Sequence, residues 1–314
     1  MKRLLLIIMG VMALARMAEA QYDAQFSQYF NVMGYYNPGY AGVTGDMNMI
    51  GMHRQQWVGM PGAPQSTFVL ADRPFQIGNT TIGTGFSLFT ETIGLFQNSH
   101  ISGQFAYKQK LFGGTLSIGF QPSIASVSFD GSKVHIPESD EHDAEDEAIP
   151  TSKVDGMTFD LNAGVYFTHK KFYVGIASTH VMEPEFSLDE NITTYIGRAY
   201  NLTGGYNIQL KNPLFELQPS VFLKTDLQSF QADITGRLLY DKMFSGGLSW
   251  RMNESVVVFL GAMFSNIEVG YAYDLPISPI LKASSGSHEV MLRYRMKLDK
   301  PKTGNYRHKS VRIL

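Results

Sequence analysis

The sequence predicts an all-β protein: a transmembrane outer-membrane antiparallel β-barrel of about 14 strands. Three observations carry that expectation. The N-terminus reads as an export signal, no later apolar run is long enough for a membrane-spanning helix, and a period-two alternation recurs along most of the chain. Composition agrees. Of 314 residues, 17% are charged and 44% hydrophobic, whereas soluble domains carry about 25% charged residues. The formal net charge of −2 offers no basic field for nucleic acid. The absence of cysteine excludes disulfides, thiolate metal sites and a cysteine nucleophile.

Residues 1–20 read as a signal peptide. Lys2 and Arg3 precede an apolar run over 4–14, and Ala18-Glu19-Ala20 forms a small-residue cleavage site. The run is shorter than the ~20 residues a membrane helix needs. Residues 21–45 are polar-aromatic rather than strand-like, with seven aromatics: Tyr22, Phe26, Tyr29, Phe30, Tyr35, Tyr36 and Tyr40. The turn residues Asn37-Pro38-Gly39 follow. This stretch is expected to be an N-terminal periplasmic or plug segment, with a disordered tail as the alternative.

Residues 46–298 are expected to form the barrel. The alternation is plain in 287–298, where Val290, Leu292 and Tyr294 share one face and Glu289, Arg293, Arg295 and Lys297 the other. Similar segments lie near 46–57, 65–74, 80–90, 95–109, 114–128, 156–168, 171–181, 195–210, 214–225, 229–240, 243–252, 255–264 and 266–276. Fourteen amphipathic segments of about 10 residues match the barrel signature, because a sheet in lipid must close on itself. A soluble sandwich or propeller would also alternate. It is disfavoured by mixed charge on one face (Asp233, Arg237, Arg251, Glu268 and Asp274 besides those above), which suits a water-filled or plugged lumen. Tyr29, Tyr35, Tyr36, Tyr40, Trp57, Phe172, Tyr173 and Trp250 are expected at strand ends as interface girdles.

Two segments stand apart. Residues 138–147 hold seven carboxylates, with His135 before them and His142 among them. Calcium-loop spacing is absent, so this reads as a solvated loop, a cation site or a charged recognition loop. Residues 299–314 form a basic tail with Lys300, Lys302, Arg307, Lys309 and Arg312. The tail could dock an acidic periplasmic partner or simply be a disordered end. No nucleophile elbow, zinc-protease motif or phosphate loop occurs. No catalytic, cofactor-binding or metal site is expected, and no cofactor.

Four blocks in order carry a resemblance: Gln25-Phe26-Ser27-Gln28-Tyr29, Asn37-Pro38-Gly39-Tyr40-Ala41-Gly42, Arg54-Gln55-Gln56-Trp57-Val58-Gly59 and Gly62-Ala63-Pro64-Gln65-Ser66-Thr67. Together they resemble the N-terminal signature of the PorP/SprF family, outer-membrane components of the type IX secretion system of Bacteroidota. Gly39 departs from the family's usual alanine, and Gly34-Tyr35-Tyr36 stands where aliphatic residues are common. The resemblance implies a non-enzymatic barrel in the cell outer membrane that supports secretion, gliding, anchoring or surface display. Implied partners are secreted cell-surface proteins or adhesins with a type IX C-terminal domain, periplasmic ring and lipoprotein components, and outer-membrane lipid, but no nucleic acid. Phe26, Tyr29, Asn37, Pro38, Tyr40, Arg54 and Trp57 are the expected partner-binding residues. A passive channel or hydrophobic-solute transporter is the alternative function.

Overall fold

The computed structural model describes residues 24–134, 150–189 and 192–298. The signal peptide, the acidic run 138–147 and the basic tail lie outside the described residues. Seventeen strands occur among them: β1 Met47–Gln55, β2 Gln65–Ile77, β3 Thr80–Ile93, β4 Phe96–Leu111, β5 Gly114–Asp130, β6 Lys153–Thr168, β7 Phe172–Thr179, β8 Glu185–Asp189, β9 Ile192–Tyr195, β10 Ala199–Tyr206, β11 Ile208–Gln209, β12 Phe215–Thr225, β13 Phe230–Tyr240, β14 Phe244–Arg251, β15 Ser255–Phe264, β16 Ile267–Pro276 and β17 Ser287–Met296. Fourteen of these (β1–β7, β10 and β12–β17) form a closed antiparallel barrel. β17 pairs with β1 from Met47↔Met296 to Gln55↔His288, and β10 joins β12 directly. β11 merely continues β10 along β12. Closure leaves no free edge, as a sheet in hydrocarbon requires.

The alternation sorts side chains onto two faces. In β17, Val290, Leu292 and Tyr294 point outward while Glu289, Met291 and Arg293 are buried inside. β4, β5 and β15 repeat this with Ile101, Phe105, Ile118, Phe120, Val258 and Leu260 outside. These outward residues form an apolar belt that a soluble protein would not expose. The β4–β5 pairing lapses between Ser102↔Ser123 and Phe105↔Phe120 without a change of register, where Pro122 has no N–H to donate.

The two rims differ. At one, strands are joined by tight turns at 78–79, 112–113 and 265–266. At the other lie the connections 56–64, 131–152, 180–198 and 277–286. Outer-membrane barrels keep short turns on the periplasmic side and long loops outside, so β1 starts and β17 ends at the inner rim.

Two expectations need correction. The segment near 195–210 divides: β10 begins at Ala199, and Ile192–Tyr195 belongs to the β8–β9 hairpin. Phe186 and Leu188 of that hairpin bury on Ala125 and Val127, so it folds over the lumen face of the wall. The aromatic girdle is also smaller than expected. Trp250 and Phe172 face outward, whereas Tyr29, Tyr35, Tyr36 and Tyr40 sit on a segment inside the barrel and Tyr173 packs against it. Those tyrosines find apolar partners and hydroxyl acceptors in the lumen, which serves an amphipathic ring as well as the membrane interface does.

Phe120→Arg, on the outward face near mid-strand, is expected to lower stability by about 2–4 kcal/mol in denaturant unfolding from lipid vesicles. An unchanged midpoint would mean this face does not contact lipid.

Candidate functional site: the occupied lumen

Residues 24–43 lie inside the lumen and pack on its wall. The segment contains a 3-10 turn at Tyr29–Asn31, one α-helical turn at Met33–Tyr36 and a 3-10 turn at Pro38–Tyr40. None is long enough to be stable alone, so the wall determines the conformation. Ala24, Phe26, Tyr29, Val32, Met33 and Tyr36 share one core with Ile50, Met52, Phe68, Leu70, Phe89, Phe222 and Met291 of the wall. Tyr29 stacks on Phe222 at 5.2 Å, and Tyr35 meets Phe68 and Phe89 edge-on or tilted at 5.1 and 5.2 Å. Phe30 packs on Phe259 beneath the Arg237 guanidinium.

The outer end of the segment is tied by a buried charge network. Arg54 at the end of β1 reaches Asp274 at 2.7 Å and Glu289 at 3.5 Å. Arg251 at the end of β14 reaches Asp274 at 2.9 Å and Asp233 at 3.3 Å. Two guanidinium groups thus face three buried carboxylates, with Glu254 adding a fourth at the margin. The wall is short of donors, and the segment supplies them. The Ser27 and Gln28 backbone N–H groups donate to Glu289 at 2.7 and 2.8 Å. The Ser27 hydroxyl donates to Asp274 at 2.7 Å and accepts from Arg54 at 2.7 Å and Arg251 at 3.2 Å. Charges taken out of water are tolerated only with their remaining valences satisfied. Ser27 is the hub that joins Asp274 to both guanidinium groups.

The inner end is tied by shape. Asn37 accepts from the Gly39 N–H at 2.9 Å and donates to the backbone carbonyls of Val165 and Ile176 at 3.0 and 3.3 Å. It can approach the β6 and β7 backbones only because Gly164 and Gly175 stand there. A Cβ on Gly175 would lie 2.9 Å from the Asn37 amide, and one on Gly164 closer still. Gly119 on β5 makes room for Pro38, and Gly83 on β3 for the Ala41 carbonyl. Gly42, at φ +65, turns the chain against Arg73 and Pro74 and donates its N–H to Asp72 at 2.7 Å. In between, Gln104 donates to the Gly34 carbonyl at 2.6 Å and Arg293 to the Asn31 carbonyl at 2.8 Å.

Of the residues singled out from sequence, Phe26, Tyr29, Asn37 and Pro38 are buried on the segment and Arg54 is buried on the wall facing it. Tyr40 is half-buried against Tyr166 at 5.3 Å. Trp57 lies apart, in the outer 56–64 connection, its backbone N–H donating to Ser287 Oγ at 3.1 Å. The structure therefore gathers six of the seven along the lumen and leaves Trp57 at the rim. The role of Ser27, the Asp72 contact and the four-glycine groove were not anticipated. The glycines do fall on the inward phase of their strands, the one signal that pointed to a close approach.

Arg54→Ala is expected to cost about 3–5 kcal/mol, because it strands Glu289 without a counter-charge and leaves Asp274 with Arg251 alone. Denaturant unfolding of the folded barrel measures it. Gly164→Leu is expected to leave the barrel closed but expel Asn37, so that limited proteolysis cuts within 24–43 faster than in the wild type. Equal protection would show that the groove does not hold the segment.

The sequence model of a family described as type IX secretion system membrane protein PorP/SprF matches residues 18–294. No curated protein matches the sequence. Solved structures of outer-membrane proteins align with the chain at low identity. The Acinetobacter baumannii outer membrane protein Omp33 is 8% identical with a TM-score of 0.45, over 81% of this chain and 98% of that one. The Ralstonia pickettii toluene transporter TbuX is 11% identical with a TM-score of 0.46, over 83% and 92%. The Escherichia coli outer membrane phospholipase A is 10% identical with a TM-score of 0.38, over 82% and 98%.

Proposed function

The chain belongs to the PorP/SprF family of type IX secretion system membrane proteins, and from that premise we propose that it works as a plugged, non-enzymatic docking barrel of the outer membrane. In this reading it supports the secretion, anchoring or surface display of proteins with a type IX C-terminal domain. Its other partners are periplasmic ring and lipoprotein components of the same machine.

One observation carries the reading: residues 24–43 occupy the lumen and complete the wall's charge network through Ser27. On this reading the segment packed along the interior blocks the axial path. The barrel's useful surfaces are then its two rims and its lipid belt, which favours a scaffold over a passive channel. The expected partner-binding residues divide accordingly. Trp57 acts directly at the outer rim. Phe26, Tyr29, Asn37, Pro38, Tyr40 and Arg54 act by holding the segment that shapes the lumen.

Affinity capture of the tagged protein from gently solubilised outer membranes, followed by mass spectrometry, is expected to recover a large surface protein with a type IX C-terminal domain or periplasmic ring components. Planar-bilayer recording is expected to show no steady conductance for the whole chain, and open-channel steps after removal of residues 24–43. A partnerless barrel that conducts as it stands would replace this reading with the channel.

A further inference from the structure

Outside the charge network, one cluster of ligating side chains is assembled from three separate strands. His100 lies on β4, Asp160 on β6, and His180 immediately follows β7. Each offers one donor atom, and these atoms all lie within 4.8 Å of one another. Asp160 is 0% exposed and His180 6%. His180 Nδ1 stands 2.6 Å from Asp160 Oδ2, and the two imidazole rings are 5.5 Å apart. We propose that His100, Asp160 and His180 bind a single divalent transition-metal ion of the zinc class, beneath the β8–β9 hairpin.

The second observation is the other oxygen of the carboxylate. Asp160 Oδ1 is buried and has no hydrogen-bond partner. Among the described residues no lysine or arginine forms an ion pair with Asp160, and its ion-pair partner is His180. A buried carboxylate with one idle oxygen is costly unless something fills that position. The site also has room. It borders a cavity of about 30 Å³ lined by Ser87, Asn98, Ser102, Gln121 and Asn162, and roofed by Ile196 of the hairpin connection. That volume admits a water or two. Asn162 Oδ1 accepts the His180 backbone N–H at 2.8 Å, which holds the start of the outer connection in place.

The donor set argues for the ion class. Two imidazoles and one carboxylate, with the remaining position left to water, are the ligands of open zinc sites. Calcium and magnesium prefer all-oxygen shells, and copper(I) prefers sulfur. A tetrahedral ion with bonds of about 2.0–2.1 Å holds its ligand atoms roughly 3.3 Å apart. From donor atoms within 4.8 Å of one another, each pair would shift by at most about 1.5 Å, a change within reach of side-chain torsions. Bound there, the ion would join β4, β6 and the exit of β7, the point from which the chain runs into the hairpin over the lumen. A hydrogen-bonded His–Asp pair that takes no metal is the competing reading.

Cobalt(II) titration of the whole chain separates the two. The protein would be purified in detergent with a non-histidine tag and stripped with chelator. The wild type is expected to take up one equivalent with visible d–d bands that zinc abolishes, and X-ray absorption of the zinc-loaded protein is expected to show two imidazoles. His100→Gln and Asp160→Asn, checked for the heat-modifiable gel shift of a folded barrel, should each weaken binding by at least about 100-fold, more than loss of an outer-shell partner costs. The double variant His135→Ala/His142→Ala should bind as the wild type does. Folded wild type with no bands, equal affinity in the His100 and Asp160 variants, or loss of binding with His135 and His142 would each overturn the proposal. X-ray absorption on the wild type remains decisive even if a variant fails to fold.

Discussion

Lipid offers no hydrogen-bond partner to a peptide group, and most of this architecture follows from that one lack. Every strand that crosses must pair on both edges, so β17 returns to β1 and the sheet closes. Closure turns one face of each strand to hydrocarbon and the other inward. A fourteen-strand wall is too wide for its own side chains to fill in full. The inward face must therefore meet either water or more protein. In this chain it meets residues 24–43.

The plug and the wall solve each other's difficulty. The wall carries Asp233, Asp274 and Glu289 against Arg54 and Arg251, a buried cluster with more acid than base. The plug is a chain of short turns with backbone N–H groups that have no helix or sheet to satisfy them. Placing the Ser27 and Gln28 amides on Glu289 satisfies both sides at once. The aromatic contacts to Phe68, Phe89, Phe222 and Phe259 add apolar burial, at roughly 1.5–3 kcal/mol for a fully buried side chain. The glycine groove fixes the inner end by shape. Charge thus locates one end of the plug and steric fit the other. The segment is thereby held at both ends inside the barrel.

Much of this was legible in the chain. Fourteen amphipathic segments read from alternation correspond to fourteen barrel strands, because the side-chain period of a strand is two whatever its neighbours are. The inward face of β17, with Glu289 and Arg293, followed from the same rule. The β8–β9 hairpin is not legible in the sequence because its strands, Glu185–Asp189 and Ile192–Tyr195, are far shorter than the ~10-residue alternation of a membrane strand, and only the burial of Phe186 and Leu188 on Ala125 and Val127 reveals it. The tyrosines of 29–40 were assigned to a membrane girdle because an amphipathic ring suits a lipid interface and a polar lumen equally.

Sequence alone determined the strand count, the two-faced wall and the family, because each rests on local pattern: a period of two and four ordered blocks of residues. Tertiary structure decided what those patterns could not encode. That Ser27 lies between Asp274 and two arginines, that Asn37 seats over Gly164 and Gly175, and that His100, Asp160 and His180 converge all depend on pairings 20 to 262 residues apart in the chain. Such contacts arise from the register and curvature of a closed sheet, which no single segment contains.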